Sequence, residues 1–471
     1  MRLVAGVDSS TQGCKVVVRD LDTGDVVRQG QAGHPDGTEV DPEHWWSALG
    51  EALEQAGGLG DVEAISVAAQ QHGMVVLDSA GRVIRPAMLW NDTRSAQAAE
   101  TLIAEVGADV FAAQTGSVPV ASFTITKLRW LRDHEPEHAA QVAAVCLPHD
   151  WLTWRLLGCG PEGQSTRGPQ WDALVTDRSD ASGTGYFNPT TAEYVPELIT
   201  VALGHLPLLP RIVSPGEKAG ETPGGVAVAC GAGDNAAAAL GLGAVAGDVV
   251  VSIGTSGTVF SVSAVPTRDS SGLVAGFADA SGVFLPLACT LNAARVLDKT
   301  REMLGVGFDQ FEQLALQAHP GSGGLTMVPY FEGERTPNLP DSKGVLHGIT
   351  LANWTPENLA RSAVEGVLLS LVHSLRAVEA HGVVPSRIVI IGGAAKNAAV
   401  QAIAPTVFPY PIVVPEAGEY VAWGAAVQAG WVVLGSRPNW IPDAVELPRG
   451  RAHPELLKRY LAIAHTVFGV E

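Results

Sequence analysis

At 471 residues the chain exceeds one ordinary domain core, which predicts two domains, each able to bury a substantial interior. Its 49 acidic residues outweigh 30 basic ones for a net charge of −19, a surface that repels phosphate backbones and anionic lipid heads, so nucleic acid and membranes are excluded as partners. An apolar content of 46% with 17% charged residues, and glycine and proline spread along the chain, exclude a disordered or fibrous protein. The five cysteines (Cys14, Cys146, Cys159, Cys230 and Cys289) are odd in number and far apart with no C-x-x-C, which argues against a disulfide framework or zinc knuckle and predicts a reducing cytoplasm. Asp8 falls where a signal peptide would be apolar, so no secretory segment is expected.

In chain order, VAGVD, a polar turn and CKVVVRD predict a β-hairpin, closed further on by the turn DTGD (22–25). DPEHWWSALGEALEQAG (41–57) follows as an amphipathic helix and VEAISVAA as a strand that ends in QQHG (70–73). HEPEH (134–138) matches the H-E-x-x-H zinc signature in letters only, because Pro136 prevents the shared helical face that two ligand histidines need. Residues 158–190, rich in Gly, Ser, Thr, Asp and Pro, predict long irregular loops. The strand VAVAC leads into CGAGDNAAAALG (230–241), and a domain boundary is expected near GAVAGD (243–248), giving domains of 1–245 and 246–471. A second hairpin, VVVSIGTSGTVF (249–260), and a second helix–strand pair, 356–382 followed by RIVIIGG, repeat the plan of the first half. YVAWGAAVQAGWVVLG (420–435) is too short to span a bilayer and contains Gln428, so a buried helix is expected. The whole reads as an α/β protein of two weakly duplicated halves with a ligand cleft between them, beyond the carboxyl ends of the strands.

No Gly-Lys pair occurs, which excludes a P-loop. A dinucleotide turn at 230–241 is disfavoured because Asp234 would face the pyrophosphate. The two hairpin turns instead offer backbone N–H groups and hydroxyls as anion nests that need no net positive charge. The first has Ser10, Thr11, Gln12 and Gly13 with Lys15 as a single cation; the second has Gly254, Thr255, Ser256 and Gly257. Asp8, at the end of its strand, suits Mg²⁺ held through water. Asp234, read as an N-cap, would be a rigid, ionised and weakly basic carboxylate able to accept a hydroxyl proton. Gln71, His72, Trp90, Asn91 and Asp92 supply the donors, acceptors and aromatic face that a polyol requires.

The ordered set GVDSSTQGCK, QQHG with LWNDTR, GAGDNAAAALG, SIGTSGT, and GERTP (333–337) with IGGAAKN (391–397) resembles the FGGY carbohydrate kinases, within the actin, hexokinase and Hsp70-like ATPase fold. The resemblance spans nearly the whole chain and, inside the family, is nearest to kinases acting on D-xylulose at its 5-hydroxyl. It implies ATP and Mg²⁺ as cofactors and a small sugar as partner, and leaves room for a homodimer. By position it implies Asp234 as catalytic base, Asp8 as the acid near metal and γ-phosphate, and Gln71 and His72 as the sugar pair, with Trp90, Asn91, Asp92 and Asn235 completing the pocket. It implies Thr11 and Lys15 in the first phosphate turn, Gly254, Thr255 and Ser256 in the second, and Gly392, Gly393 and Asn397 around adenosine. Ribulose, gluconate or another polyol is the alternative on the same fold, and an ATP-binding sensor that transfers no phosphate is the alternative of another class. Three departures stand out: Ser10 and Gln12 where the turn usually carries Gly and Ser or Thr, and Ala394 where glycine is common. A non-glycine in the turn is restricted at positive φ, so an altered turn is expected.

Overall fold

Strand β1 (Leu3–Ser9) pairs antiparallel with β2 (Gly13–Asp20), placing Asp8 opposite Lys15, and β3 (Val26–Gly33) extends the meander. The computed structural model describes residues 1–469. After helix α1 (Pro42–Gln55) the chain returns as β4 (Val62–Ala69), parallel to β1. With β5 (Lys218–Glu221) and β6 (Ala227–Ala229) the strand order is β5-β6-β4-β1-β2-β3, and β7 (Ala232–Gly233) pairs the far end of β4. Four further helices matter for the site: α2 (Thr124–His134), α3 (Pro148–Leu156), α4 (Arg178–Ala181) and α5 (Asp234–Gly241). A sixth, α6 (Tyr420–Leu434), comes from much later in the chain.

Every residue of β1 is buried because the sheet is covered on both faces, which is why its sequence is a near-continuous apolar run rather than an alternation. On one face Trp45, Leu49 and Ala52 of α1 pack with Val7, Val16 and Val18. On the other, Ala422, Ala426 and Ala429 of α6 meet Val4 and Val17. α6 lies so close that a Cβ on Gly6 would stand 2.0 Å from the Ala422 carbonyl oxygen. It packs equally tightly on α5, where a Cβ on Gly424 would be 1.8 Å from the Ala237 carbonyl oxygen. Gln428, the polar residue in this apolar helix, is buried; it accepts from Ser66 Oγ at 2.8 Å and donates to the Gly231 carbonyl at 2.7 Å. The helix thus belongs to a protein interior, as its length and its glutamine imply, and no helix among the described residues is long and apolar enough to cross a membrane.

The chain divides into two compact units. The first comprises Met1–Ala244, Pro266–Leu285 and Gly418–Pro442; the second comprises Val245–Val265, Pro286–Ala417 and the chain from Asp443 onward. In the second unit β8 (Asp248–Ile253) and β9 (Gly257–Ser261) form an antiparallel hairpin. With β10 (Phe284–Thr290), β11 (Arg387–Ile391), β12 (Ile412–Pro415) and β13 (Ala444–Glu446) the order is β10-β9-β8-β11-β12-β13. β8 runs parallel to β11, which follows the long helix Pro356–Ala380. A hairpin whose first strand pairs in parallel with the strand after a helix therefore occurs once in each unit, as the duplicated sequence pattern implies.

Two local expectations resolve differently. Pro136 does break HEPEH: α2 ends at His134, a short helix starts at Pro136, and His138 Nδ1 bonds Glu135 instead of sharing a metal face. The segment 158–190, expected as irregular loop, is ordered and largely buried from Leu174 onward, with a strand at Val175–Asp177, α4, and a 3-10 turn at Ser182–Thr184. Its polar side chains mislead because they satisfy backbone within the protein: the Asp177 carboxylate accepts from the amides of Ser179 and Asp180 at 2.8 and 2.9 Å and caps α4.

Candidate active site

The tip of the first hairpin holds three buried polar atoms with no partner: Asp8 Oδ1, Ser9 Oγ and, from the end of β4, Gln70 Nε2. Unpaired buried groups are costly, and three at one turn form a polar concavity that a ligand, ion or water can satisfy. The turn closes through Ser10, whose amide and hydroxyl both donate to the Gly13 carbonyl at 3.0 and 3.1 Å. Neither Ser10 nor Gln12 adopts positive φ, so the two departures from the usual turn residues bring no left-handed backbone strain here. Gly13 is the residue that must be small, since a Cβ there would lie 2.6 Å from the Ala32 carbonyl oxygen of β3. Trp90 Nε1 donates to Thr11 Oγ1 at 2.8 Å, tying the LWNDTR stretch to this turn. Lys15 Nζ forms an ion pair with Glu419 at 2.6 Å, a partner that its motif does not reveal. Burial, then the charge of Asp234, pushes the Asp8 carboxyl up to about 7 against the pull of Lys15.

Asp234 is the first residue of α5, and Gly233 takes the cap position. Its Oδ1 accepts from the Asn235 amide at 2.8 Å and from Asn235 Nδ2 at 2.9 Å. Burial nevertheless raises it to about 6 despite those bonds, which corrects the expectation of a weak base: desolvation outweighs the helix terminus. Raised basicity suits a group that must take a proton near neutral pH.

Gln71 and His72, the expected sugar pair, project from the loop after β4. Gln71 Nε2 donates to the Ser179 carbonyl at 3.0 Å and His72 Nδ1 lies 2.6 Å from the Gly183 carbonyl. The Gly233 amide, next to Asp234, donates to Ser179 Oγ at 3.1 Å. Residues 177–184, read as irregular loop from composition, thus connect Gly233, the neighbour of Asp234, with Gln71 and His72. His72 adopts φ 72, and its carbonyl accepts from Lys127 Nζ at 2.8 Å and Thr124 Oγ1 at 3.1 Å, which fixes the unusual backbone. Phe123 and Phe277 flank its ring at centroid distances of 4.8 and 5.8 Å. Lys127 is wholly buried, and desolvation lowers its ammonium to about 7. Asp92 is taken up by Arg94 and Thr38, and Asn91 donates to the Gly37 carbonyl, so these two shape the loop that presents Trp90.

In the second unit the Gly254 amide reaches the Ser256 carbonyl at 3.1 Å, leaving Thr255 exposed at the turn's tip. Gly392, at φ 93, sits against it: a Cβ there would be 2.7 Å from the Ile253 carbonyl carbon, so the SIGTSGT and IGGAAKN turns lie side by side. Asn397 caps the helix Ala398–Val407, accepting from the Val400 amide at 3.0 Å, and Gly393 is exposed beside it. Glu334 of GERTP is buried and accepts from the amides of Leu291 and Arg335 at 2.6 and 2.8 Å.

This chain is 46% identical over 467 residues, 95% of its length and 92% of the other's, to a xylulose kinase of Streptomyces rubiginosus. It superposes with a TM-score of 0.91 and 45% identity on a crystal structure of xylulose kinase from Bifidobacterium adolescentis, covering 98% of this chain and 99% of that one. A gluconate kinase from Lactobacillus acidophilus, 22% identical and covering 99% and 98%, still reaches 0.88, so the fold is common to kinases of different sugars. The models of the N-terminal and C-terminal domains of the FGGY family match residues 3–246 and 249–433. With both family models matched in order, and with two glycine- and hydroxyl-bearing turns and a buried carboxylate at a helix start on one duplicated scaffold, the chain belongs to the FGGY family of carbohydrate kinases.

Proposed function

We propose that this kinase transfers the γ-phosphoryl group of ATP to the 5-hydroxyl of D-xylulose, with Asp234 accepting the hydroxyl proton. The observation that carries the reading is the bonding of Asp234's neighbour Gly233 and of Gln71 and His72 to one short segment, which ties a base of raised pKa to two polyol-binding side chains. Gln71, His72 and Trp90 orient the sugar, Asn235 holds the carboxylate of Asp234 in place, and Asn91 and Asp92 support Trp90. Phosphoryl transfer asks chiefly for positioning and charge neutralisation. Mg²⁺ would supply that neutralisation, and the donor set fits it: a hard carboxylate oxygen of Asp8, buried and unpartnered, at the end of β1. Thr11 and Lys15 in the first unit, and Gly254, Thr255, Ser256, Gly392, Gly393 and Asn397 in the second, are the nucleotide-binding residues of this reading.

Gluconate would need a cation for its carboxylate. Lys127 comes close to His72, yet it is wholly buried and commits two of its three N–H donors to the carbonyls of His72 and Ser122, so its placement serves the backbone rather than an open carboxylate site. A panel of D-xylulose, ribulose and gluconate with coupled ADP detection tests the reading; xylulose should show the highest kcat/KM by at least about tenfold. Preference for gluconate, or ATP hydrolysis with no sugar phosphate formed, overturns it.

A further inference from the structure

Behind the site lies a fully buried cluster of His149, Asp150 and Asp180. His149, on α3, is 2.5 Å from Asp180 Oδ2 and 3.2 Å from Asp150 Oδ1 through Nδ1, and Nε2 faces the Cys230 carbonyl at 3.3 Å. The ring also presses on Gly231, at φ 82, where a Cβ would meet His149 Cδ2 at 2.3 Å. His149 therefore touches both chain segments that build the site: α4, which bears Ser179 and leads to Gly183, and the 230–233 approach to Asp234. Asp180 follows Ser179, whose carbonyl and hydroxyl serve Gln71 and Gly233.

We propose that His149 and Asp180 are positioning residues of the phosphoryl transfer, a buried imidazole and its carboxylate that lock α4 against residues 230–233 and so set the distance between Asp234 and the Gln71–His72 pair. This rests on the reading of Asp234 as base and of Gln71 and His72 as sugar ligands. Burial works to lower the His149 imidazole, but the neighbouring Asp150, Asp180 and Asp177 overcome it and hold it above its ordinary value, while burial raises Asp150 and Asp180 in turn. The ring bonds Asp180 on α4 and faces the Cys230 carbonyl at once, so its loss removes the side chain that bridges α4 to residues 230–233 and leaves Asp180 Oδ2 buried without that partner. Residues behind a site commonly act by this kind of orientation.

The test compares His149→Leu, His149→Lys and Asp180→Asn in the full chain. His149→Leu should lower kcat/KM for D-xylulose by about 10- to 100-fold with the KM for ATP within about twofold, and His149→Lys, which restores an N–H donor, should recover most of the loss. Amide hydrogen exchange over 177–184 and 231–235 should quicken in His149→Leu and return toward the wild-type rate in His149→Lys. Unchanged kinetics and exchange in His149→Leu, or a lysine variant as impaired as the leucine one, overturns the proposal. If His149→Leu does not fold, Asp180→Asn, which keeps shape and removes one charge, decides by the same readouts. A wild-type enzyme inactive on D-xylulose would overturn the substrate reading alone, because the exchange comparison needs no sugar.

Discussion

Two carboxylates near one another in the first unit are pushed in the same direction, Asp8 to about 7 and Asp234 to about 6, and burial is the leading cause for both. Asp234→Asn should lower kcat by about 10²–10⁴-fold while leaving the sugar KM nearly unchanged. In the wild type the acidic limb of kcat/KM should bend near pH 6, where Asp234 loses its proton. For stability the sign follows from the raised value: the protonated form of Asp8 is the better tolerated one, so its contribution is complete below about pH 4 and lost as pH rises through 7. Asp8→Asn should therefore raise Tm at pH 8, without nucleotide or metal, by about 2–4 °C for each kcal/mol recovered, and leave Tm at pH 4 unaltered; calorimetry at the two pH values checks it. The same substitution should abolish turnover. The placement of Asp8, Asp234, Gln71 and His72 was legible because each sits at or just beyond the end of a strand, where position in sequence nearly equals position in the fold. Lys127, Ser179, Gly183 and Glu419 were not, since each reaches its partner across distant sequence and none carries a local pattern.

At the scale of elements, the informative contact is helix on helix. α5 and α6 meet through Gly241 and Gly424, with hypothetical Cβ atoms 2.0 and 1.8 Å from facing carbonyl oxygens. Backbone cannot yield as a side-chain tip does, so Gly424→Ala should destabilise the protein by about 1–3 kcal/mol or more in denaturant unfolding. Because α5 begins with Asp234, kcat should fall with it; an unchanged kcat would mean that α5 is held from its other sides. Length, an apolar run and a capping aspartate pointed to these helices but not to this contact, because alanine- and glycine-rich faces carry little hydrophobic contrast. The hairpins were easier: β-branched runs around a glycine-bearing turn admit few other structures. Residues 158–190 failed for the opposite reason, as short capped turns and loop share one composition.

For the molecule as a whole, a charge of −19 sets a field that an anionic nucleotide must enter. Screening relaxes that repulsion, so the KM for ATP should fall between about 10 and 150 mM salt, over which the Debye length shrinks from about 30 to 8 Å; a rising KM would show that local attraction at Lys15 and the turns dominates. The two-part, duplicated plan was readable in the sequence, whereas the return of Gly418–Pro442 to the first unit was not. That return bears on how the protein is made. α6 covers one face of β1 and packs on α5, yet it is translated some 400 residues after β1. A growing chain exposes the apolar underside of its first sheet until nearly all of it has left the ribosome, so the first unit closes late.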